Sequence, residues 1–122
     1  MPVRGLRGAT VAAANTPEAI RAATRELLEV LVAENEIDPA DLASIFFTTT
    51  PDLNAEYPAL AARELGWTDL ALLCGHEMAV PGGLPLCIRV LIHWNTDRRT
   101  PELRHVYLRE AVRLRPDRAP TA

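Results

Sequence analysis

The sequence predicts an α/β (α+β) domain: a mixed five-stranded sheet with two helices on one face. Two observations predict it. One long segment repeats apolar residues at helical spacing, and the segments together run in the order β-α-β-α-β-β-β. Val3 to Val11 forms the first strand, with Val3, Leu6, Ala9 and Val11 available for packing. Gly5 and Gly8 within it point to a bulge or to the close approach of another backbone. In "NTPEAIRAATRELLEVLVAEN", Thr16 suits the N-cap, Pro17 the first helical position and Glu18 the positive end of the helix dipole. Ile20, Ala23, Leu27, Leu28 and Leu31 form its apolar face, and Glu34-Asn35 ends it. "DPADL" is a turn or short helical turn, and "ASIFFTTT" is a strand of β-branched and aromatic residues. After the loop "PDLNAEYP", a short helix runs from Pro58 to Leu65, with Gly66 at its C′ position. "DLALLC" is the third strand and "GHEMAVPGGLP" a long loop. Cys87 to Thr96 is the fourth strand, "DRRTPELRH" a turn or short helical turn, and "VYL" a short fifth strand before an irregular remainder.

The fourth strand, "CIRVLIHWNT", raises the first chemical question. Ile88, Val90, Ile92 and Trp94 share one face; Cys87, Leu91 and His93 share the other, with Arg89 among them. A guanidinium stays charged at any accessible pH, so burying it unpaired is costly. Glu77, just after the third strand, is the available acid, and a Glu77–Arg89 pair is the plain structural expectation. Two helices cover one face of the sheet, so the face carrying Arg89 needs cover too, which a homo-oligomer would supply.

Bulk composition narrows the function. The 122 residues suit one compact domain, expected over 1–117, with a flexible tail at 118–122 in the proline-rich "RPDRAPTA". A net charge of −3 argues against a nucleic-acid binder. All 13 basic residues are arginine, which excludes Schiff-base chemistry on lysine. Two cysteines make no disulfide framework, "MPVRGLRG" has no apolar signal region, and no stretch is long and apolar enough to span a membrane. A reduced cytoplasmic protein is the expectation.

"CGHE", Cys74 to Glu77, invites a zinc or Cys-His nucleophile reading, but no CxxC or HExxH spacing supports a metal and nothing identifies an oxyanion hole. "RGLRG" places arginines beside glycines, although it is neither a P-loop nor a dinucleotide fingerprint. Tyr107 sits in the short apolar fifth strand, and its hydroxyl needs a partner if buried. Several arginines, a tyrosine, a glutamate and a cysteine suit a small dianionic ligand, held and polarised without covalent chemistry.

These residues carry a resemblance. "VRGLRGAT", "TPEAI", "TPDLNAEYPALAARELGW", "EMAVPGGLPLCIRVL" and "RHVYLREAVRLRPD", in this order and spacing, resemble the monofunctional chorismate mutases of the AroH class, the small trimeric type, from Val3 to Asp117. The resemblance implies a pseudo-α/β-barrel homotrimer with ferredoxin-like layering, active sites between subunits, and the Claisen rearrangement of chorismate to prephenate without metal or cofactor. It implies that Arg89 donates to the ether oxygen and a substrate carboxylate, that Arg7 binds a carboxylate, and that Tyr107 helps hold it. Glu77 matches the glutamate near the ring hydroxyl, with Cys74 beside that hydroxyl. Tyr57, Ala59 and Arg63 match positions that close the cleft from the adjacent subunit, and Leu114 and Arg115 match the tail folding over it. Three positions depart: Leu60 stands where some relatives carry a basic residue, Tyr57 replaces a phenylalanine, and Leu73 stands where a relative has threonine. These bear on substrate affinity more than on the chemistry. Two other readings stand beside this one: a regulatory or carrier domain that binds a small dicarboxylate or aromatic metabolite without turnover, and a trimeric imine deaminase, whose own motifs are not visible.

Overall fold

The computed structural model describes residues 1–115. The expected tail at 118–122, and Asp117 where the resemblance ends, lie outside the described residues. Five strands form one sheet in the order β3-β2-β4-β1-β5, with β1 at Val3–Val11, β2 at Leu42–Thr49, β3 at Ala71–His76, β4 at Cys87–Asn95 and β5 at Val106–Tyr107. β4 runs antiparallel to both β1 and β2, whereas the β1–β5 and β2–β3 pairs are parallel, so the sheet is mixed.

Two helices, α1 (Pro17–Asn35) and α2 (Ala59–Glu64), pack on one face. Thr16 caps α1 by accepting from the Ala19 N–H at 3.1 Å. The helix ends where Glu36 turns left-handed at φ 54°, its N–H and that of Ile37 returning to the Val32 carbonyl. The expected apolar stripe is all buried; Leu27, Leu28 and Leu31 lie against Leu6, Ile45, Phe47, Val90 and Ile92 of the sheet. Gly8 is required by this packing rather than by a bulge. A Cβ there would lie 2.8 Å from Leu31 Cδ1 and 3.2 Å from Leu27 Cδ1 and Val90 Cγ2. Along β1 the alternation turns Leu6, Gly8 and Thr10 toward the helices and Arg7, Ala9 and Val11 away from them, while Val3, expected to pack, is exposed.

Among the described residues the opposite face is covered at its β1–β5 end. There a 3-10 helix at Arg109–Leu114, expected as irregular chain, buries Ala9, Tyr107 and Ala111 together. Toward β3 the same face stays open and exposes Leu73, Phe46 and Leu91 in one cross-strand row. Strand β3 begins two residues later than expected, because Asp69 and Leu70 form a bend at the sheet edge. Among the described residues no helix is long and apolar enough to cross a membrane.

Buried Asn35 ties the end of α1 to the segment leading into β5. Its Nδ2 donates to the carbonyls of Leu31 (3.0 Å) and Arg104 (2.9 Å), and its Oδ1 accepts from the Arg104 N–H at 2.9 Å. Asn35→Ala strands the Arg104 backbone groups, so we expect a loss of about 2–3 kcal/mol. Urea unfolding should show it as a lowered midpoint at an unchanged slope.

Candidate active site

The register of the sheet assembles the site. On the open face one cross-strand row reads Gly75, Thr48, Arg89, Ala9 and Tyr107; its neighbour reads Leu73, Phe46, Leu91 and Arg7. Residues facing each other across paired strands share a face, so four expected site residues converge. Arg7, Glu77, Arg89 and Tyr107 line one cavity of about 280 Å³, with Thr48 beside them and Phe46 and Leu91 as apolar walls. Thr48 and Ala9 flank the arginine, with Gly75 beyond Thr48, so only small side chains stand beside the guanidinium; a Cβ on Gly75 would meet nothing within 4 Å.

Glu77 reaches the cavity from just beyond β3, its N–H extending the strand pairing to the Thr49 carbonyl at 2.8 Å. Arg89 Nε lies 3.3 Å from Glu77 Oε2, which is the pairing expected from sequence. The arginine is not buried in this chain: its side chain is 48% exposed and that of Glu77 26%. An ion pair this open contributes roughly 0–1 kcal/mol to stability. The Thr48 hydroxyl donates to the same oxygen, Glu77 Oε2. Thr48 was not singled out from sequence, although its place on β2 opposite Arg89 follows once the register is known. His105 accepts the Arg7 N–H at its Nδ1 (2.9 Å) and so ties β1 to the approach to β5.

The Tyr107 ring is buried against Ala9 and Ala111, yet the residue borders the cavity. A second, larger cavity of about 660 Å³ under the loop after Glu77 shares Glu77 and Arg89 and is bordered by Leu84 and Leu114. That loop returns into β4 through four backbone contacts. Leu86 N–H donates to Asp52 Oδ2 (3.0 Å), Cys87 N–H to Thr50 Oγ1 (2.9 Å), Ala12 N–H to the Leu86 carbonyl (2.8 Å) and Thr50 N–H to the Cys87 carbonyl (3.0 Å). They hold Leu86 at φ 54°, a left-handed conformation rare for leucine. Arg115, the last described residue, is half-buried and engaged.

The remaining expected residues lie elsewhere. Cys74 is in register with buried Phe47, so its thiol is on the helix side of the sheet, away from Arg89. It lines a third cavity, about 430 Å³, with exposed Tyr57, Thr49 and His76. Ala59 is buried and directs its N–H at the thiol, Arg63 is near enough to act on it electrostatically, and Leu73 is exposed on the open face of edge strand β3. Burial pushes the Cys74 thiol above the ordinary range, with the Ala59 N–H and Arg63 opposing. Burial also raises Cys87, against the opposing effect of Arg89. Neither thiol is poised as a nucleophile. Among the described residues, no group of three or more histidine, cysteine or acidic side chains could hold a metal ion.

A mixed-sheet domain that gathers two arginines, a glutamate and a tyrosine in a small open cavity has the side chains to hold a compact anionic molecule. The particular family follows from comparison. The sequence model of the family described as chorismate mutase type I matches residues 3–118, and the chain belongs to that family. It is 53% identical over 116 residues to "Chorismate mutase AroH" of Thermus thermophilus, covering 94% of this chain and 95% of the relative. To the protein of the same name from Bacillus subtilis it is 46% identical over 118 residues, covering 96% and 93%. The solved chorismate mutase from Clostridium thermocellum superposes with a TM-score of 0.87 at 46% identity, over 88% of this chain and 96% of that one.

Because a raised thiol pKa lowers the thiolate fraction at neutral pH, iodoacetamide should alkylate Cys74 and Cys87 more slowly than free cysteine. Labelling followed by mass spectrometry should show both rates still climbing well into the alkaline range.

Proposed function

We propose that the chain converts chorismate to prephenate at the Arg7–Glu77–Arg89–Tyr107 cavity by electrostatic stabilisation, without covalent catalysis. One observation carries this beyond family membership: β1, the end of β3, β4 and β5 bring Arg7, Glu77, Arg89 and Tyr107 to one cavity, where two guanidinium groups stand beside a single carboxylate. The rearrangement is unimolecular and needs no nucleophile, general base, metal or cofactor. In its transition state the ether C–O bond loosens ahead of C–C bond formation, so negative charge grows on the enolpyruvyl oxygen and positive charge on the ring. A fixed guanidinium aimed at that oxygen stabilises the transition state more than the ground state. Its planar fork serves the oxygen and a carboxylate together, which a lysine cannot do.

In this reading Arg7 and Tyr107 hold a carboxylate, and Glu77 faces the ring hydroxyl and the developing ring charge. Leu114 and Arg115 close the cavity from the 3-10 helix. Tyr57, Ala59 and Arg63 act on the site of a neighbouring copy in a homotrimer. Cys74 travels with them, because it shares their side of the sheet. Two features support assembly: this cluster faces away from the cavity of its own chain, and the open face exposes Leu73, Phe46 and Leu91. Leu73 then sits at the junction between copies. The two unpaired cysteines agree with a reducing cytoplasm as the place of action.

Purified protein with chelator should abolish the ultraviolet absorbance of chorismate and yield acid-released phenylpyruvate; a folded trimer that leaves the absorbance unchanged overturns the proposal. Arg89→Gln should lower kcat by roughly a hundredfold or more while changing KM far less. Binding of chorismate without turnover in wild type, weakened in Arg89→Gln, would instead mark a carrier domain. Light scattering should give three times the chain mass.

A further inference from the structure

The cavity contains one polar group to which neither composition nor motif assigns a role. Thr48 lies on the open face of β2, directly opposite Arg89 on β4 and beside Gly75 on β3. Its hydroxyl donates to Glu77 Oε2, the oxygen that also receives Arg89 Nε at 3.3 Å. Among the described residues no hydrogen bond reaches Glu77 Oε1, the closest approach of Arg89 to Glu77 is through Nε, and the Arg89 side chain also hydrogen-bonds Cys87. We propose that Thr48 is a positioning residue for the rearrangement: its hydroxyl pins one oxygen of Glu77 beside Arg89 Nε, so that the other carboxylate oxygen and the terminal guanidinium nitrogens are the groups presented to the substrate.

The physical reason is the geometry that the threonine prevents. An arginine and a carboxylate side by side prefer a bidentate fork, two parallel N–H···O bonds. In that arrangement Glu77 would occupy a terminal nitrogen of Arg89 as well as Nε, and the donor aimed at the ether oxygen would be spent on the protein's own acid. A hydroxyl fixed on β2 competes for one carboxylate oxygen and holds the pair monodentate. The strand backbone limits the movement of Thr48, and its β-branched side chain is stiff at χ1. The hydroxyl therefore acts as a fixed point, as required of a group that supports a site.

This inference rests on the mutase reading, and its test separates the two. Thr48→Val keeps the shape and removes the donor; Thr48→Ser keeps the donor. If wild type converts chorismate, we expect Thr48→Val to lose roughly tenfold or more in kcat, with Thr48→Ser retaining most of it. Adding Thr48→Val to Glu77→Gln should cost little further, because glutamine forms no ion pair with Arg89; a purely structural role would cost the same in both backgrounds. Wild-type turnover with an unimpaired Thr48→Val enzyme, or additive losses, overturns the positioning role and leaves the mutase reading intact. If wild type does not act on chorismate, the mutase reading fails and crystal structures of wild type and Thr48→Val still decide the geometry. Glu77 swung into a bidentate pair with Arg89 in the variant supports the proposal, and an unmoved carboxylate overturns it.

Discussion

The register of β4 between its two neighbours is the constraint on which the rest depends. This nine-residue strand pairs with β1 on one side and β2 on the other, and its alternation sends Ile88, Val90, Ile92 and Trp94 into the helix-covered core. The same alternation sends Arg89 and Leu91 to the open face. A slip by one residue would bury the guanidinium among leucines and expose Val90. Burial of the apolar face thus fixes the open face without any interaction on that face needing to be strong. Gly8 belongs to the same constraint: it lets Leu27 and Leu31 of α1 come close enough to clamp the sheet at the level of Val90, one residue from Arg89.

Electrostatics then follow from what covers the open face. Within one chain the Arg89–Glu77 pair stands half in solvent, where water screens it and its net contribution to stability is small. Covering that face with a second copy and a dianionic substrate would lower the local dielectric and strengthen every charge contact within the cavity. The two arginines, Arg7 and Arg89, then face two carboxylates rather than remaining unpaired, so the desolvation cost falls on groups that are compensated. A site that is weakly organised electrostatically in the open chain would become strongly so on such closure.

Legibility from sequence divides along the same line. Strand alternation in "CIRVLIHWNT" and the helical repeat of α1 state their buried faces directly, and the Glu77–Arg89 pair follows because a permanent cation on a strand needs an acid within reach. Other features depend on register, which the sequence does not state. Thr48 reads as one β-former among several in "ASIFFTTT" until β2 is aligned with β4. Cys74 and Glu77 look like neighbours in "CGHE", yet alternation and the end of β3 put them on opposite sides of the sheet. Edge strand β3 begins late because an edge carries little burial pattern, and the 3-10 helix at Arg109–Leu114 has too few turns to show a period.

That 3-10 helix shows how position near the site is maintained at a distance from it. It begins at Arg109 with φ 53°, a conformation that costs energy for a residue with a side chain. Arg109 pairs there with Glu26 on α1, at 2.7 Å and 3.5 Å to the two carboxylate oxygens. Ala111 then buries itself against Ala9 and Tyr107, and Leu114 arrives beside the cavity that contains Arg89. The left-handed residue turns the chain, while the small apolar contact sets its depth. Tyr107 is consequently packed by the segment whose end borders the neighbouring cavity, so the ring and the end of that segment are fixed by one contact.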